Sequence, residues 1–341
     1  MTLAGRRLLT LALAGAGGAL FLLLHLPLPL LLGPMLACLI AALAGLPLAD
    51  TGRIGTLMRT IIGVAVGSSI TPAVLNELPE IAASLAMVPV FIAVIALIGY
   101  PLFRRVFGFD HATAWYAAMP GGLQDMLVFG HEAGGDLRAL SLIHATRVLV
   151  IVTVAPMILA TSYGLDLSQP PGQPMGAVAL HEIALMIAAG LVGWKAAERL
   201  GLFGASILGP MVLAAILSLS GLIQHRPPAE MIQAAQYFIG IAVGAKYAGI
   251  TLRELRLHVT AGLVYSLVLA AISLGFIEII MHLGLAPGLD AFLAFLPGGQ
   301  AEMIVVAIIA GADLAYVVSH HLLRIVIVIV LAPVVARVMR R

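Results

Sequence analysis

MPGGLQDML, residues 119 to 127, places a proline, two glycines and an acid inside an otherwise apolar segment. Proline removes a backbone donor and clashes with the preceding turn, and paired glycines let a chain reverse, so a helix entering this stretch must stop and another must start. Residues 296 to 304 read LPGGQAEMI. A shift of 177 superposes Pro120-Gly121-Gly122 on Pro297-Gly298-Gly299, Asp125 on Glu302, and Met126 on Met303. The match runs on without a gap through Gly134 and Gly311, Asp136 and Asp313, His144 and His321, Arg147 and Arg324, to Pro156 and Pro333. It contains 13 identities in 37 positions, several of them polar.

Working outward, the same shift pairs IIGVAVG (61 to 67) with FIGIAVG (238 to 244), and Leu75, Glu77 and Leu78 with Leu252, Glu254 and Leu255. A shift of 176 pairs Gly33-Pro34-Met35 with Gly209-Pro210-Met211. The chain reads as a tandem duplication: repeat 1 over 1–164, a polar, proline-rich linker over 165–177 containing LDLSQPPGQP, and repeat 2 over 178–341.

Composition sets the medium. Apolar residues make up 62% of 341 positions and charged residues 10%, and mean hydropathy is +1.11, more apolar side chain than a soluble core accommodates. Nearly all apolar runs approach the roughly 20 residues a helix needs to cross a bilayer core, and none alternates like a barrel strand. The expectation is an all-α integral membrane protein. Arg6 and Arg7 precede a long apolar stretch, Leu8 to Leu32, which reads as a first span rather than a cleaved signal peptide. A single cysteine, Cys38, excludes a disulfide framework. A net charge of +2 with scattered cations offers no basic face to nucleic acid.

Full-length apolar segments fall near 8 to 25, 29 to 47, 54 to 72, 82 to 103 and 137 to 162 in the first half. In the second they fall near 178 to 194, 203 to 223, 231 to 249, 259 to 283 and 314 to 336. The PGG segments cover about 111 to 131 and 288 to 311. If each PGG segment enters and leaves by the same face, 15 cationic residues lie at the cytoplasmic side and only Arg226 outside; if each crosses, the split is 10 to 6. The expected architecture is therefore ten transmembrane helices in two inverted repeats of five, each with a re-entrant PGG hairpin, and both termini cytoplasmic. Inverted repeats with broken helices are a common secondary-transporter design, with the site near the midplane.

Asp125 and Glu302 stand three residues after the last glycine of each break, in the first turn of the following half-helix. They read either as helix-terminal acids answering backbone donors and the helix dipole or as proton or cation sites. Arg147 and Arg324 lie 11 residues beyond Asp136 and Asp313, hence roughly 16 Å along a helix. A guanidinium at that depth needs a partner: an ion pair with Asp125 or Glu302, or an anionic solute. His144 and His321 share a helical face with those arginines and read as satisfied buried histidines or as proton relays. Asp136 and Asp313 are expected to cap helices, Gly63 with Gly67 and Gly240 with Gly244 to permit close helix packing, and Pro34 and Pro210 to kink. Ser68, Ser69 and Thr71 against Lys246 and Tyr247 mark an asymmetry between the repeats.

Enzyme chemistry finds no footing: LHEIAL lacks the second histidine of a zinc-binding helix, and neither a Walker loop nor a dinucleotide fingerprint is present. No cofactor or metal is expected. The paired PGGLQDM and PGGQAEM, each followed by GGD or GAD and then H-x-x-R, together with the duplication, resemble the bacterial AbrB-duplication membrane family across essentially the whole chain. The resemblance implies an inner-membrane location, and members carry the labels ammonia monooxygenase and AbrB family regulator. The residues themselves point to a secondary transporter of a small, anionic solute driven by a proton or cation gradient. Its site would be built from Pro120, Gly121, Gly122, Asp125, His144 and Arg147 with Pro297, Gly298, Gly299, Glu302, His321 and Arg324. The alternative is a membrane sensor that influences gene expression. Expected partners are a small molecule or ion and the lipid bilayer, not nucleic acid; a homo-oligomer is left open.

Overall fold

The computed structural model describes residues 1–202 and 204–339, and the side chains of all of these except 73–78 and 124. Arg340 and Arg341, counted among the cytoplasmic cations, and the side chains of Leu75, Glu77 and Leu78 lie outside the described residues. Among the described residues every regular element is helical.

In the first half these are α1 (Leu3–Leu23), α2 (Pro29–Leu43), α3 (Arg53–Gly67), α4 (Pro72–Leu85), α5 (Met87–Pro101), α6 (His111–Ala118), α7 (Leu123–Glu132) and α8 (Leu137–Ser162). The second half continues with α9 (Leu180–Arg199), α10 (Ala205–Leu219), α11 (Ala229–Gly244) and α12 (Leu252–Glu254), which runs through a π turn into α13 (Thr260–His282). It ends with α14 (Gly288–Phe295), α15 (Gln300–Ala310) and α16 (Leu314–Met339). Both PGG stretches fall in a gap between two short helices, as the proline and glycines require.

Local chemistry sets these boundaries. Asp110 caps α6 by accepting from Thr113 N at 2.9 Å. Asp136 caps α8 through Arg138 N and Ala139 N, and Asp313 caps α16 through Ala315 N, as expected of both acids. A capping box between Thr251 and Glu254 starts α12.

Six stretches among the described residues are long and apolar enough to cross a membrane: Leu3–Leu23, Pro79–Val106, Leu137–Ser162, Leu180–Arg199, Leu252–His282 and Leu314–Met339. The other four expected spans are represented by α2, α3, α10 and α11, of 15 or 16 residues. At 1.5 Å per residue these reach only about 22–24 Å, short of a core about 30 Å thick.

The chain divides into two compact units, each drawing on both halves of the sequence. One comprises Met1–Glu77, Val152–Ile250 and Ala301–Ala315; the other comprises Leu78–Ile151, Thr251–Gln300 and Tyr316–Arg341.

In the first unit the expected small-residue crossings are present, and they are reciprocal. A Cβ on Gly63 or Gly67 of α3 would overlap the carbonyl oxygens of Ile207 and Met211 on α10. A Cβ on Gly240 or Gly244 of α11 would overlap those of Leu31 and Met35 on α2. These are equivalent positions in the two repeats, so each repeat presses its glycine helix against the GPM helix of the other. Within each repeat the GPM helix also meets a neighbour glycine to glycine, Gly17 with Gly33 and Gly193 with Gly209. Glycine permits this contact between backbones, and dispersion at that range is what holds helices together where lipid removes the hydrophobic drive.

Candidate functional site

The second unit contains both PGG turns and both H-x-x-R motifs. In repeat 1, α6 ends where Met119 turns extended, and α7 begins after Gly122, also extended. The chain folds back on itself there. Thr113 Oγ1 near the start of α6 accepts from Asp136 N, just past the end of α7, at 2.8 Å, and the rings of Tyr116 and Phe129 lie 6.4 Å apart. In repeat 2, α14 likewise ends at an extended Leu296 before Pro297, and α15 starts at Gln300.

Each break leaves carbonyls without their helical donors, and the structure shows what answers them. The carbonyl of Tyr116 would accept from the N–H of residue 120 in a continuous helix, but that residue is proline and has none. His144 Nε2 takes the place of the missing donor, 3.1 Å from Tyr116 O. In repeat 2 the orphan is Leu293 O, four residues before Pro297, and His321 Nε2 meets it at 2.9 Å. A carbonyl only accepts, so Nε2 carries the proton in both rings. Nδ1 of each is buried with no hydrogen-bond partner.

The arginines serve the next carbonyls along. Arg147 donates from Nη1 to Met119 O at 3.2 Å and from Nη2 to Gly121 O at 3.1 Å. Arg324 makes the equivalent bonds to Leu296 O and Gly298 O, both at 3.4 Å. The carbonyl between is answered from α13: the Tyr265 hydroxyl donates to Ala118 O, and Ser273 Oγ donates to the equivalent Phe295 O at 2.9 Å. Four carbonyls at each break are thus held by side chains, which is how a non-helical backbone survives away from water.

This assignment resolves part of what spacing left open. His144 and His321 are satisfied buried histidines at Nε2, and both guanidinium groups bind the backbone of their own repeat's break. Arg324, 3% exposed, makes its two bonds at the long end of the range, and its Nε is buried without a hydrogen-bond partner. A Cβ on Gly121 would press on Val328, one turn beyond Arg324 on α16, so the first PGG turn sits against the arginine helix of the second repeat.

Asp125 and Glu302 occupy the third position of α7 and α15. Asp125 is half-buried and Glu302 is 8% exposed. Tyr265 and Ser273 were not singled out by sequence reasoning, because one hydroxyl in a long apolar helix carries no spacing signal. Among the described residues no three His, Cys, Asp or Glu side chains gather closely enough to hold a metal ion.

Comparison with known proteins adds the following. A family model described as "Transition state regulatory protein AbrB" matches residues 30–340. The chain is similar to "Putative regulator AbrB" of Escherichia coli (strain K12), 28% identical over 331 residues, covering 93% of this chain and 91% of that protein. It is also similar to "Uncharacterized protein YhjN" of Bacillus subtilis (strain 168), 27% identical over 302 residues, covering 81% and 76%.

Proposed function

The chain belongs to the AbrB family, and from that premise we propose that it is a secondary transporter, not an enzyme, moving a small anionic solute on a proton or cation gradient. In this reading it lies in a bacterial inner membrane as ten spans in two inverted repeats, with both termini cytoplasmic and a re-entrant PGG hairpin in each repeat. The solute sits between the two turns. Asp125 and Glu302 serve the coupling ion, and Arg147 and Arg324 attract the solute's negative charge.

The observation that carries the proposal is the pair of buried guanidinium groups, one from each repeat, each bound to the backbone of a broken helix, with the first PGG turn packed against the helix that carries Arg324. Placing cations in an apolar interior is costly. Arg324 is met by two long backbone bonds and keeps a donor with no hydrogen-bond partner at Nε. An anion arriving there would balance the charge and complete the hydrogen bonding. The clasp also suits alternating access, because releasing a turn exchanges one set of carbonyl partners for another.

The test is direct. Purified protein in liposomes, given a proton or sodium gradient, accumulates at least one solute from a panel of organic acids, amino acids and ammonium, and Arg324→Gln abolishes that uptake. An empty panel ends the proposal. The relative's name favours the second reading, a membrane sensor acting through a cytoplasmic regulator. Recovery of such a regulator by pull-down, with normal signalling from the Asp125→Asn plus Glu302→Gln variant, would establish it instead.

A further inference from the structure

A second polar cluster lies on α16, away from the clasps. Ser84 of α4 places Oγ 2.8 Å from His320 Nε2 and against the hydroxyl of Tyr316. His320 Nδ1 lies 2.7 Å from the carbonyl of Tyr316, one turn back on its own helix. All three side chains are buried: Ser84 is wholly inaccessible, and His320 and Tyr316 nearly so.

With the ring neutral, donor and acceptor rules fix the direction of every bond. The Tyr316 carbonyl can only accept, so Nδ1 carries the imidazole proton and Nε2 of the neutral ring is the acceptor. Ser84 must therefore donate to Nε2, and its oxygen is left to accept from the Tyr316 hydroxyl. The result is a one-way chain of donors, Tyr316 to Ser84 to His320.

Such a chain admits a proton with no heavy atom moving. Ser84 passes its hydroxyl proton to Nε2 and takes the Tyr316 proton in return, and the Tyr316 oxygen takes up the incoming proton. One proton is gained, the ring becomes an imidazolium, and Nε2–H now donates to a serine oxygen whose hydroxyl has turned away.

Neither the fold nor the duplication demands this cluster. At the equivalent positions of the other repeat stand Ala261, Ala139 and Ile143. Ala261 and Ala139 are fully buried there, so the same packing is made without polar groups. The cluster is a departure from the pseudo-symmetry, on the helix that carries Arg324. Tyr316, His320 and Arg324 follow at intervals of four, along one face, with about 6 Å of rise between the last two.

We propose that Ser84, Tyr316 and His320 form a proton-binding site, and that its proton is taken up with an anion held at Arg324, in addition to any ion coupled through Asp125 and Glu302. The second clause rests on the transporter reading; the first does not. The groups facing the His320 ring are Ser84 from α4, the Phe295 ring from α14 at 5.4 Å, and Tyr316 and His321 from its own helix, with Arg324 one turn further along. Arg324 is the permanent charge next in register on α16. It opposes a second positive charge one turn away, and an anion on Arg324 removes that opposition, so proton and anion favour each other's binding.

The experiment follows the histidine nitrogens of the full-length protein by NMR, in lipid nanodiscs with 15N-histidine. The His320 signal is identified by its loss in His320→Ile, which installs the other repeat's residue. The expected result is an Nδ1–H neutral ring at high pH that becomes an imidazolium on acidification. Ser84→Ala, again the other repeat's residue, removes the acceptor that the charged ring needs and lowers the midpoint by about one pH unit or more. Arg324→Gln raises it. A ring neutral throughout about pH 4 to 9, or a midpoint indifferent to Ser84→Ala, overturns the proton site. No rise in Arg324→Gln overturns its link to the anion. A titrating His320 alongside an empty transport panel removes the transporter and leaves the proton site standing.

Discussion

His144 is tied to Pro120 by subtraction: the ring supplies a hydrogen bond that the proline removed. Replacing His144 with alanine strands a buried carbonyl and leaves a void, a loss of about 2–4 kcal/mol that detergent thermal melts will register as a lowered Tm. Pro120→Ala restores the N–H that lets α6 continue by one more bond to the Tyr116 carbonyl. The double variant is accordingly less damaged than the two single losses added together, with a coupling of about 0.5–3 kcal/mol from a double-mutant cycle. Additive losses would mean that the histidine does something other than answer that carbonyl. Tyr265→Phe removes only a hydroxyl and strands Ala118 O, so it loses about 1–3 kcal/mol in the same assay, whereas phenylalanine at Tyr237, whose hydroxyl reaches Leu11 O at a less buried place, loses less.

At the scale of elements, the reciprocal crossings make the glycine helices the least tolerant of added bulk. Gly63→Ala and Gly240→Ala each drive a methyl group into the facing backbone, and each is expected to destabilise by about 1–3 kcal/mol. Because the sites are equivalent, their thermal shifts should match; a large difference would argue that one crossing is slack. Gly204, at the entrance of α10, has φ +56, and a Cβ there would meet only Leu208 at ordinary van der Waals distance, while its equivalent Leu28 adopts φ 48 and is fully buried. Gly204→Ala therefore isolates backbone strain alone, about 1 kcal/mol. Much of this scale was legible beforehand. The PGG breaks, the caps at Asp136 and Asp313 and the tight glycine faces each follow from a short local pattern. The partner of a glycine face does not, since a small-xxx-small stripe states that something comes close and not which helix. The carbonyl partners of Arg147 and Arg324 were hidden for a similar reason: a long side chain reaches several groups, and only the fold-back of the chain decides among them. The shortness of α2, α3, α10 and α11 was missed because apolar loop residues such as Leu46 and Leu48 extend the hydropathic run beyond the helix.

For the whole molecule, the proposed topology makes a prediction about sidedness. With Cys38 replaced by alanine, a single cysteine at Gly122 and another at Gly299 should react with a membrane-impermeant maleimide from opposite faces of sealed vesicles. Labelling of both from one face only would remove the inverted arrangement and the shared solute position with it. The reciprocal contacts of the first unit have a further consequence. Where residue i of one repeat meets j of the other and j meets i in return, the pattern is that of a twofold homodimer interface. A gene severed within residues 165–177 should still yield a working pair of polypeptides when both pieces are made together, and neither piece alone should survive extraction. The molecule carries within one chain a pseudo-twofold seam of the kind along which two separate copies pair.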